Sequence, residues 1–146
     1  MIENIGKFAE YLVLTELLMK NIEAYQALSF NQIDYDITVV LSIDNVVRVQ
    51  VKATDLQNSS TNNTIKNVNK RFDYMVLVVV DNGNKRFFIL SKKDVEEAKS
   101  ATNALYVSEN KDGIYSVKND ITNHENCWDK IINHQPKKSL TLETLS

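Results

Sequence analysis

Two neighbouring segments of the sequence alternate apolar and polar residues, and this pattern constrains the fold more than any other feature. A period of two over such short segments is typical of half-buried β-strands. The alternating apolar positions are Tyr35, Ile37, Val39, Leu41 in the first segment and Val47, Val49, Val51, Ala53 in the second. Because only residues 43–45 separate the two segments, we expect them to form a hairpin.

The length of the loop decides which side chains of this hairpin lie opposite each other. A three-residue loop over residues 43–45 places Asp36 opposite Lys52 and Thr38 opposite Gln50,. A two-residue loop would move every apolar side chain to the wrong face, since one step of register inverts a strand. The pattern therefore predicts the three-residue loop, which leaves one face of the hairpin wholly apolar.

Helices and further strands are predicted on both sides of the hairpin. The apolar side chains of residues 2–20 lie nearly all round a helical wheel, which predicts a helix packed on more than one side,. The other predicted helices cover residues 92–100 and 125–133, and the other predicted strands cover residues 74–80, 86–90, 104–108 and 114–117,. Ser91 and Asp94 have the spacing of a helix capping box,.

These elements predict an α/β fold, with a mixed sheet flanked by helices, as a single domain over residues 1–134. The polar segment 55–71 is typical of a functional loop or of disorder,. Residues 135–146 are predicted to form a polar tail,.

The composition excludes several classes of protein. The chain is 43% hydrophobic and 25% charged, as in ordinary globular domains, and no apolar run approaches the ~20 residues needed to span a membrane,. The first residues do not resemble a secretion signal, and one cysteine forms no internal disulfide, so we expect a cytoplasmic protein,. A net charge of −2 argues against a general basic coat for nucleic acid, but it is compatible with a local basic patch,.

Four polar side chains near the hairpin have the chemistry of a metal-assisted hydrolase. Asp36, Gln50 and Lys52 are expected on one sheet face, and Glu10 lies among apolar helix positions where a carboxylate needs a partner,. Oxygen atoms of Asp36, Gln50 and the Val51 backbone carbonyl are of the kind that binds Mg²⁺. A lysine beside a scissile phosphate orients or deprotonates water and offsets negative charge.

These residues resemble the PD-(D/E)XK nucleases, in particular the branch similar to group I intron homing endonucleases. The resemblance covers roughly residues 1–100, and its most specific part is Arg48–Lys52. The matching segments are Gly6–Glu10 at a helix start, Asp34–Thr38 on one strand and Val47–Thr54 on the next.

The resemblance implies a restriction-endonuclease-like core and a role for each candidate residue. Asp36 would be the first acid of the motif, Gln50 its D/E position, Lys52 its catalytic lysine and Glu10 its helix acid. Asp36, Gln50, Val51 and Glu10 would hold the metal. Gln50 departs from the full motif by one negative charge, which weakens cation binding, although the homing-endonuclease-like branch also carries Gln here.

The implied function is hydrolysis of DNA phosphodiester bonds by an endonuclease that uses Mg²⁺ or Mn²⁺. Because duplex cleavage must reach two antiparallel strands, a two-fold homodimer with one site per strand is the natural hypothesis. Lys66, Lys70 and Arg71 of the polar segment are candidate nucleic-acid contacts,. The alternative is a catalytically silent domain of the same fold that binds nucleic acid or a protein.

Other roles for the candidate residues stay open at this point. Asp36 and Lys52 fit an exposed ion pair, and Asp34 competes with Asp36 for the position of the first acid,. Glu10 fits a salt bridge to Lys7 or Lys52. A domain without a nucleic-acid role predicts that the basic residues of segment 55–71 do not cluster around Asp36. The uneven spacing of three potential zinc ligands argues against a zinc site; these are His124, Cys127 and His134,.

Overall fold

A five-stranded sheet forms the centre of the computed structural model, which describes residues 2–27, 34–57, 64–110, 113–115 and 121–136. The strands are β1 (Glu23–Gln26), β2 (Ile37–Ser42), β3 (Asn45–Asp55), β4 (Thr64–Ile65), β5 (Tyr74–Asp81), β6 (Asn84–Ser91), β7 (Leu105–Tyr106), β8 (Ser108–Asn110) and β9 (Gly113–Tyr115). The helices are α1 (Ile5–Met19), α2 (Lys92–Ala98) and α3 (Asp129–Ile132), with a 3₁₀ helix at Thr122–His124.

The sheet is mixed, as predicted. Its strand order is β1-β2-β3-β5-β6, in which β3 and β5 are parallel and the other neighbours are antiparallel. The strands β4 and β7 pair separately, and so do β8 and β9. The predicted α/β class, with helices flanking a mixed sheet, is confirmed.

The predicted register of the β2–β3 hairpin is wrong. Ser42 pairs with Asn45, so the loop has two residues, and the register shifts between Val40 and Ser42. This shift is a β-bulge at Leu41, and the extra residue restores the side-chain alternation that a two-residue loop would otherwise invert. The apolar residues therefore still share one face, as the sequence pattern requires.

The observed register also changes the residues opposite the candidate site. Ile37 pairs with Val49 and Thr38 pairs with Arg48, so Asp36 does not lie opposite Lys52 and Gln50 has no partner in β2. Strand β2 begins at Ile37 rather than at Tyr35, whereas β3 continues to Asp55. Beyond Val49, therefore, no residue of β2 pairs with the edge of β3 that faces β2.

One face of the sheet is covered by α1. Ala9, Val13 and Leu17 are fully buried against apolar side chains of β2, β3 and β5. Their spacing of four residues forms one stripe, and Ile5, Leu12 and Leu14 beside it are partly buried against the same core. The packed surface of α1 is therefore broader than one stripe, as predicted, but it does not include Leu18, which is exposed.

The opposite face is covered by α2 and by the segments around β4 and β7. Helix α2 starts with the predicted capping box, because the Ser91 hydroxyl accepts from the Asp94 N–H and the Asp94 carboxylate accepts from the Ser91 N–H. The predicted helix over residues 125–133 is present only as the short α3, and the 3₁₀ helix precedes it. Trp128 and Ile131 nevertheless pack into the core on the α1 face.

Some predicted features fall on residues that the structure does not describe. They include part of the segment 55–71, the end of the predicted strand 114–117 and most of the predicted tail 135–146. Within the described part of the chain, no helix is both long and apolar enough to cross a membrane.

Candidate active site

Asp36 lies immediately before β2, and its side chain turns towards the open edge of β3. The Val51 N–H donates a 2.7 Å hydrogen bond to Asp36 Oδ2. The Asp36 N–H donates to the Val49 carbonyl and the Asp36 carbonyl accepts from the Ala27 N–H, each at 2.9 Å. Because the N–H and carbonyl of one strand residue point to the same side, the Val51 carbonyl faces this edge as well.

The carboxyl group of Glu10, from α1, lies beside that of Asp36. Burial raises the pKa of Asp36 to about 6, and so does the neighbouring Glu10 carboxyl group, against the opposing effects of the Val51 N–H and Lys52,. Asp36 and Glu10 therefore form an acidic pair.

Glu10 also forms an ion pair with Lys7, at 2.7 Å. The Glu10 side chain is 20% exposed, whereas that of Lys7 is 60% exposed, so the pair lies at the rim of the site. The salt bridge to Lys7 considered for Glu10 is thus present, together with the contact to Asp36. Glu10 links the N-terminal turn of α1 to the residue that precedes β2.

Gln50 projects from β3 on the face opposite α1, because it alternates with Val49 and Val51, which pack against that helix. Only 4% of the residue is exposed, and its Oε1 atom accepts no hydrogen bond among the described residues. An unsatisfied buried polar atom costs about 1–3 kcal/mol. Such an atom in a folded protein points to a ligand, an ion or a water.

Lys52 projects from the same face as Gln50 and is half-buried. Burial lowers its pKa, and the nearby charge of Lys70 lowers it further, while Asp36 acts in the opposite direction. Lys52 is therefore close enough to interact with both Asp36 and Lys70. Its reduced pKa increases the fraction of neutral amine, which is the form that accepts a proton.

The other candidate acid, Asp34, is paired elsewhere. Its carboxylate accepts from the Arg71 guanidinium at 3.2 Å. Of the three predicted nucleic-acid contacts, Lys70 and Arg71 line one groove near the site, whereas Lys66 is exposed and does not line it. Asp36 does not line this groove, so the expected clustering of the basic residues around Asp36 stays a prediction.

Sequence reasoning missed three further basic residues of this groove, Arg48, Lys92 and Lys93. Arg48 lies on the polar face of β3, and the pair Lys92–Lys93 begins α2 directly after its cap. The sequence contains both signals, but the pairing of the strands brings them together: the parallel pairing of β3 with β5 brings Arg48 close to the start of β5, and the antiparallel pairing of β5 with β6 brings Lys92 and Lys93 there.

No group of three or more His, Cys, Asp or Glu side chains that could hold a metal occurs in the part of the chain that the structure describes. The suggested zinc ligands have other neighbours. His124 contacts Lys130, Cys127 donates to the Asn123 carbonyl and His134 contacts Tyr74. A metal at the candidate site would instead need the two carboxylates together with the amide and backbone oxygens of β3.

No protein-family model and no curated protein matches the sequence. Among solved structures, the fold is similar to that of a bacterial homing endonuclease, I-Ssp6803I, with a TM-score of 0.61 and 16% sequence identity. The similarity covers 88% of this chain and 90% of that protein. The expected nuclease-like fold is therefore confirmed over most of the chain.

Proposed function

We propose that the protein is an endonuclease that uses Mg²⁺, or Mn²⁺ in its place, to hydrolyse DNA phosphodiester bonds. The observation that carries this proposal is the buried Gln50 Oε1 atom without a hydrogen-bond partner among the described residues, next to Val51, which binds Asp36. The fold shared with a homing endonuclease supports the same function.

The oxygen atoms at the edge of β3 fit a hard cation. Asp36, Gln50 Oε1 and the Val51 carbonyl would hold it, with Glu10 as a further carboxylate ligand. Bound there, Mg²⁺ polarises the phosphoryl group and lowers the pKa of an attacking water. A cation bound there would also offset the repulsion between the carboxylates of Asp36 and Glu10.

Lys52 is the residue that we assign to the attacking water. Its amine lies near Asp36, and its lowered pKa allows it to orient the water and accept a proton at Nζ,. When protonated, the ammonium group offsets negative charge that develops on the phosphate. Asp36 attracts Lys52 towards the metal-binding edge, and Glu10 positions Asp36.

We further propose that residues 1–134 form one nuclease domain and that the protein acts as a homodimer on DNA. A single site reaches one strand of a duplex, whereas a two-fold dimer presents one site to each antiparallel strand. This arrangement predicts double-strand breaks with a fixed offset between the two cuts.

The test is cleavage of supercoiled plasmid and of branched DNA in the presence of Mg²⁺ or Mn²⁺. We expect nicking or cutting by the wild type and none by Lys52→Ala or Asp36→Ala. Lys85→Ala is the matched control, because Lys85 is an exposed lysine next to the β5–β6 turn. Cleavage that survives both site variants would contradict the assignment.

The alternative function is a catalytically silent domain that binds nucleic acid. Two features favour it: Gln50 removes one negative charge from the metal ligands, and Lys7 neutralises Glu10. Both weaken cation binding. Calorimetric titration with Mg²⁺ separates the two functions, because the silent domain would bind no divalent cation and would leave every DNA substrate intact.

A further inference from the structure

A basic groove of about 580 Å³ lies between the start of β5 and the start of α2. Five cationic side chains line it, whereas only Asp73 and Glu96 contribute carboxylates, so its lining carries a formal charge of +3. The whole chain carries −2. The cationic residues are Arg48, Lys70, Arg71, Lys92 and Lys93. Positive charge is thus concentrated on one surface of an acidic protein, which suits a polyanion.

One ion pair connects the groove to the segment that carries the candidate active site. The carboxylate of Asp34, two residues before Asp36, accepts from the guanidinium of Arg71 at 3.2 Å. A chain lying in the groove would therefore pass close to the segment that carries Asp36.

Several of the cationic side chains are held in place by the protein. Lys92 Nζ donates to the Lys70 carbonyl and lies 4.2 Å from the centroid of the Phe72 ring. The Arg48 N–H donates to Asp73 at 2.8 Å, and the same carboxylate attracts the Arg48 guanidinium. Side chains that are fixed before binding lose less conformational entropy when a ligand arrives.

Two other cationic side chains extend into solvent. The side chain of Arg71 is 86% exposed and that of Lys93 is 84% exposed, although each has an acidic neighbour. An exposed arginine contacts a phosphate group through two N–H donors and an exposed lysine does so as a point charge, and neither requires a closed pocket. The groove thus combines a fixed basic wall with exposed basic side chains at its rim.

The remaining lining includes aromatic side chains. The rings of Tyr74 and His134 meet edge to face with centroids 5.4 Å apart, and Tyr74 Oη lies 2.9 Å from His134 Nδ1. An aromatic surface with a cationic rim matches the chemistry of a polynucleotide, whose sugars and bases are partly apolar and whose phosphates are charged.

We propose that this groove binds the sugar-phosphate backbone of the nucleic-acid strand that flanks the scissile phosphate. The inference rests on the proposed nuclease function and adds to it a binding surface outside the hydrolytic residues. Because the contacts are charges rather than groups aimed at base edges, the groove contributes affinity that does not depend on base sequence.

The test is DNA binding without catalysis, measured by fluorescence anisotropy with labelled duplexes of unrelated sequence in EDTA. Lys93→Glu should weaken binding to every duplex by about tenfold, and Lys93→Ala should reduce the slope of log K against log salt concentration by about 1. Arg71→Gln should weaken binding similarly. Thermal unfolding of each variant is the control that checks whether the fold is retained.

Lys85→Glu is the matched control for charge reversal. Lys85 lies at the turn of the β5–β6 hairpin, whereas Tyr74 and Ser91 of the groove pair at its other end, about 20 Å away at the usual rise per residue,. The Lys85→Glu substitution should leave the affinity for DNA unchanged.

Three results would overturn the inference. The first is that the groove variants bind DNA as tightly as the wild type does. The second is that Lys85→Glu weakens binding as much as the groove variants do, and the third is that the wild type does not bind DNA.

Cleavage in Mg²⁺ is measured separately. If the wild type cleaves DNA and the groove variants bind and cleave as it does, the inference about the groove is wrong and the proposed nuclease function is retained. If the wild type binds DNA through the groove but does not cleave it, only the proposed nuclease function is wrong.

Discussion

The Asp36 carboxylate accepts a 2.7 Å hydrogen bond from the backbone N–H of Val51, so a side chain takes the place of a strand partner on β3. Strand β2 stops pairing with β3 at Val49, and the next outward-facing N–H, that of Val51, would otherwise lack a β2 carbonyl,. The divergence of the two strands thus leaves the space at the edge of β3 into which the Asp36 side chain turns.

Substitutions of Lys52 test whether its amine takes part in proton transfer. We expect Lys52→Ala to reduce the cleavage rate by about 10²–10⁴-fold while DNA binding in EDTA changes little. Lys52→Arg should be similarly slow, because a guanidinium keeps the charge but does not give up its proton.

The measurement for Lys52 is single-turnover cleavage as a function of pH. The wild-type rate should rise with pH and level off below the ordinary lysine pKa of 10.5, since burial and Lys70 lower the pKa of Lys52. Full activity of Lys52→Arg would restrict Lys52 to an electrostatic role.

Asp36→Asn tests the acidic pair of Asp36 and Glu10 through the stability of the metal-free protein. Asp36 has a pKa of about 6 in the fold and 3.8 without the fold, so the folded state binds more protons between these values. The contribution of Asp36 to the free energy of unfolding should therefore fall as pH rises from about 4 to about 6. Because Asp36 is only partly buried, we expect a decrease of about 1–2 kcal/mol rather than the full value of the shift.

Denaturant unfolding in EDTA at several pH values measures this effect. Asp36→Asn should remove the decrease and should be more stable than the wild type at pH 7, because its amide still accepts the Val51 N–H without carrying charge. It should also fail to cleave DNA. The prediction is contradicted if the free energy of unfolding of the wild type does not fall relative to that of Asp36→Asn between pH 4 and pH 6.

Two substitutions of Gln50 separate its ligand role from its packing. Gln50→Glu restores the missing charge and should tighten Mg²⁺ binding by about tenfold. Gln50→Leu removes the unpaired oxygen from a site that is 4% exposed, so Mg²⁺ binding should be lost while the free energy of unfolding stays equal or increases,.

Calorimetric titration with Mg²⁺ and denaturant unfolding in EDTA check both Gln50 variants. Unchanged Mg²⁺ affinity in Gln50→Leu would exclude Gln50 as a ligand. A large loss of stability in that variant would show instead that the amide is needed for the fold.

The sequence predicted the strand faces better than the strand pairing. The alternation of Val47, Val49 and Val51 placed these residues on the buried face correctly, because burial depends only on side-chain period,. The bulge at Leu41 was not predictable from that pattern, since it satisfies the same alternation with a shorter loop,. Strand β1 was missed because its four residues are too few to establish a period.

The candidate site was predicted as a set of residues but not as an arrangement. Glu10 and Asp36 are brought together by the packing of α1 on the sheet, and no spacing in the sequence contains that contact. The groove likewise depends on the parallel pairing of β3 with β5, which places Arg48 near residues far along the chain. The roles assigned to these residues stay predictions until the variants are measured.

The Lys130 side chain connects α3 to the rest of the fold through hydrogen bonds. A substitution that removes its ammonium group should therefore lower the free energy of unfolding. Its Nζ atom donates to the Ile89 carbonyl at 2.9 Å and to Asp94 at 3.1 Å, and it lies 2.7 Å from His124 Nδ1. Lys130→Met keeps the apolar stem but loses these contacts, so we expect the free energy of unfolding to fall by about 1–2 kcal/mol. Lys93→Met, on an exposed lysine, should change it by less than about 0.5 kcal/mol,.

A double-mutant cycle with Asp94→Asn measures how much of this loss belongs to the ion pair. Lys130 is one of the groups that lower the pKa of Asp94, together with the N–H and hydroxyl of Ser91, so the two substitutions should not be additive,. Denaturant unfolding should give a coupling energy of about 0.5–1 kcal/mol at pH 7. At a pH below the lowered pKa of Asp94 the coupling should disappear, because the carboxylate is then neutral. A cycle that closes with no coupling at pH 7 would show that Lys130 acts through the Ile89 carbonyl and His124 alone.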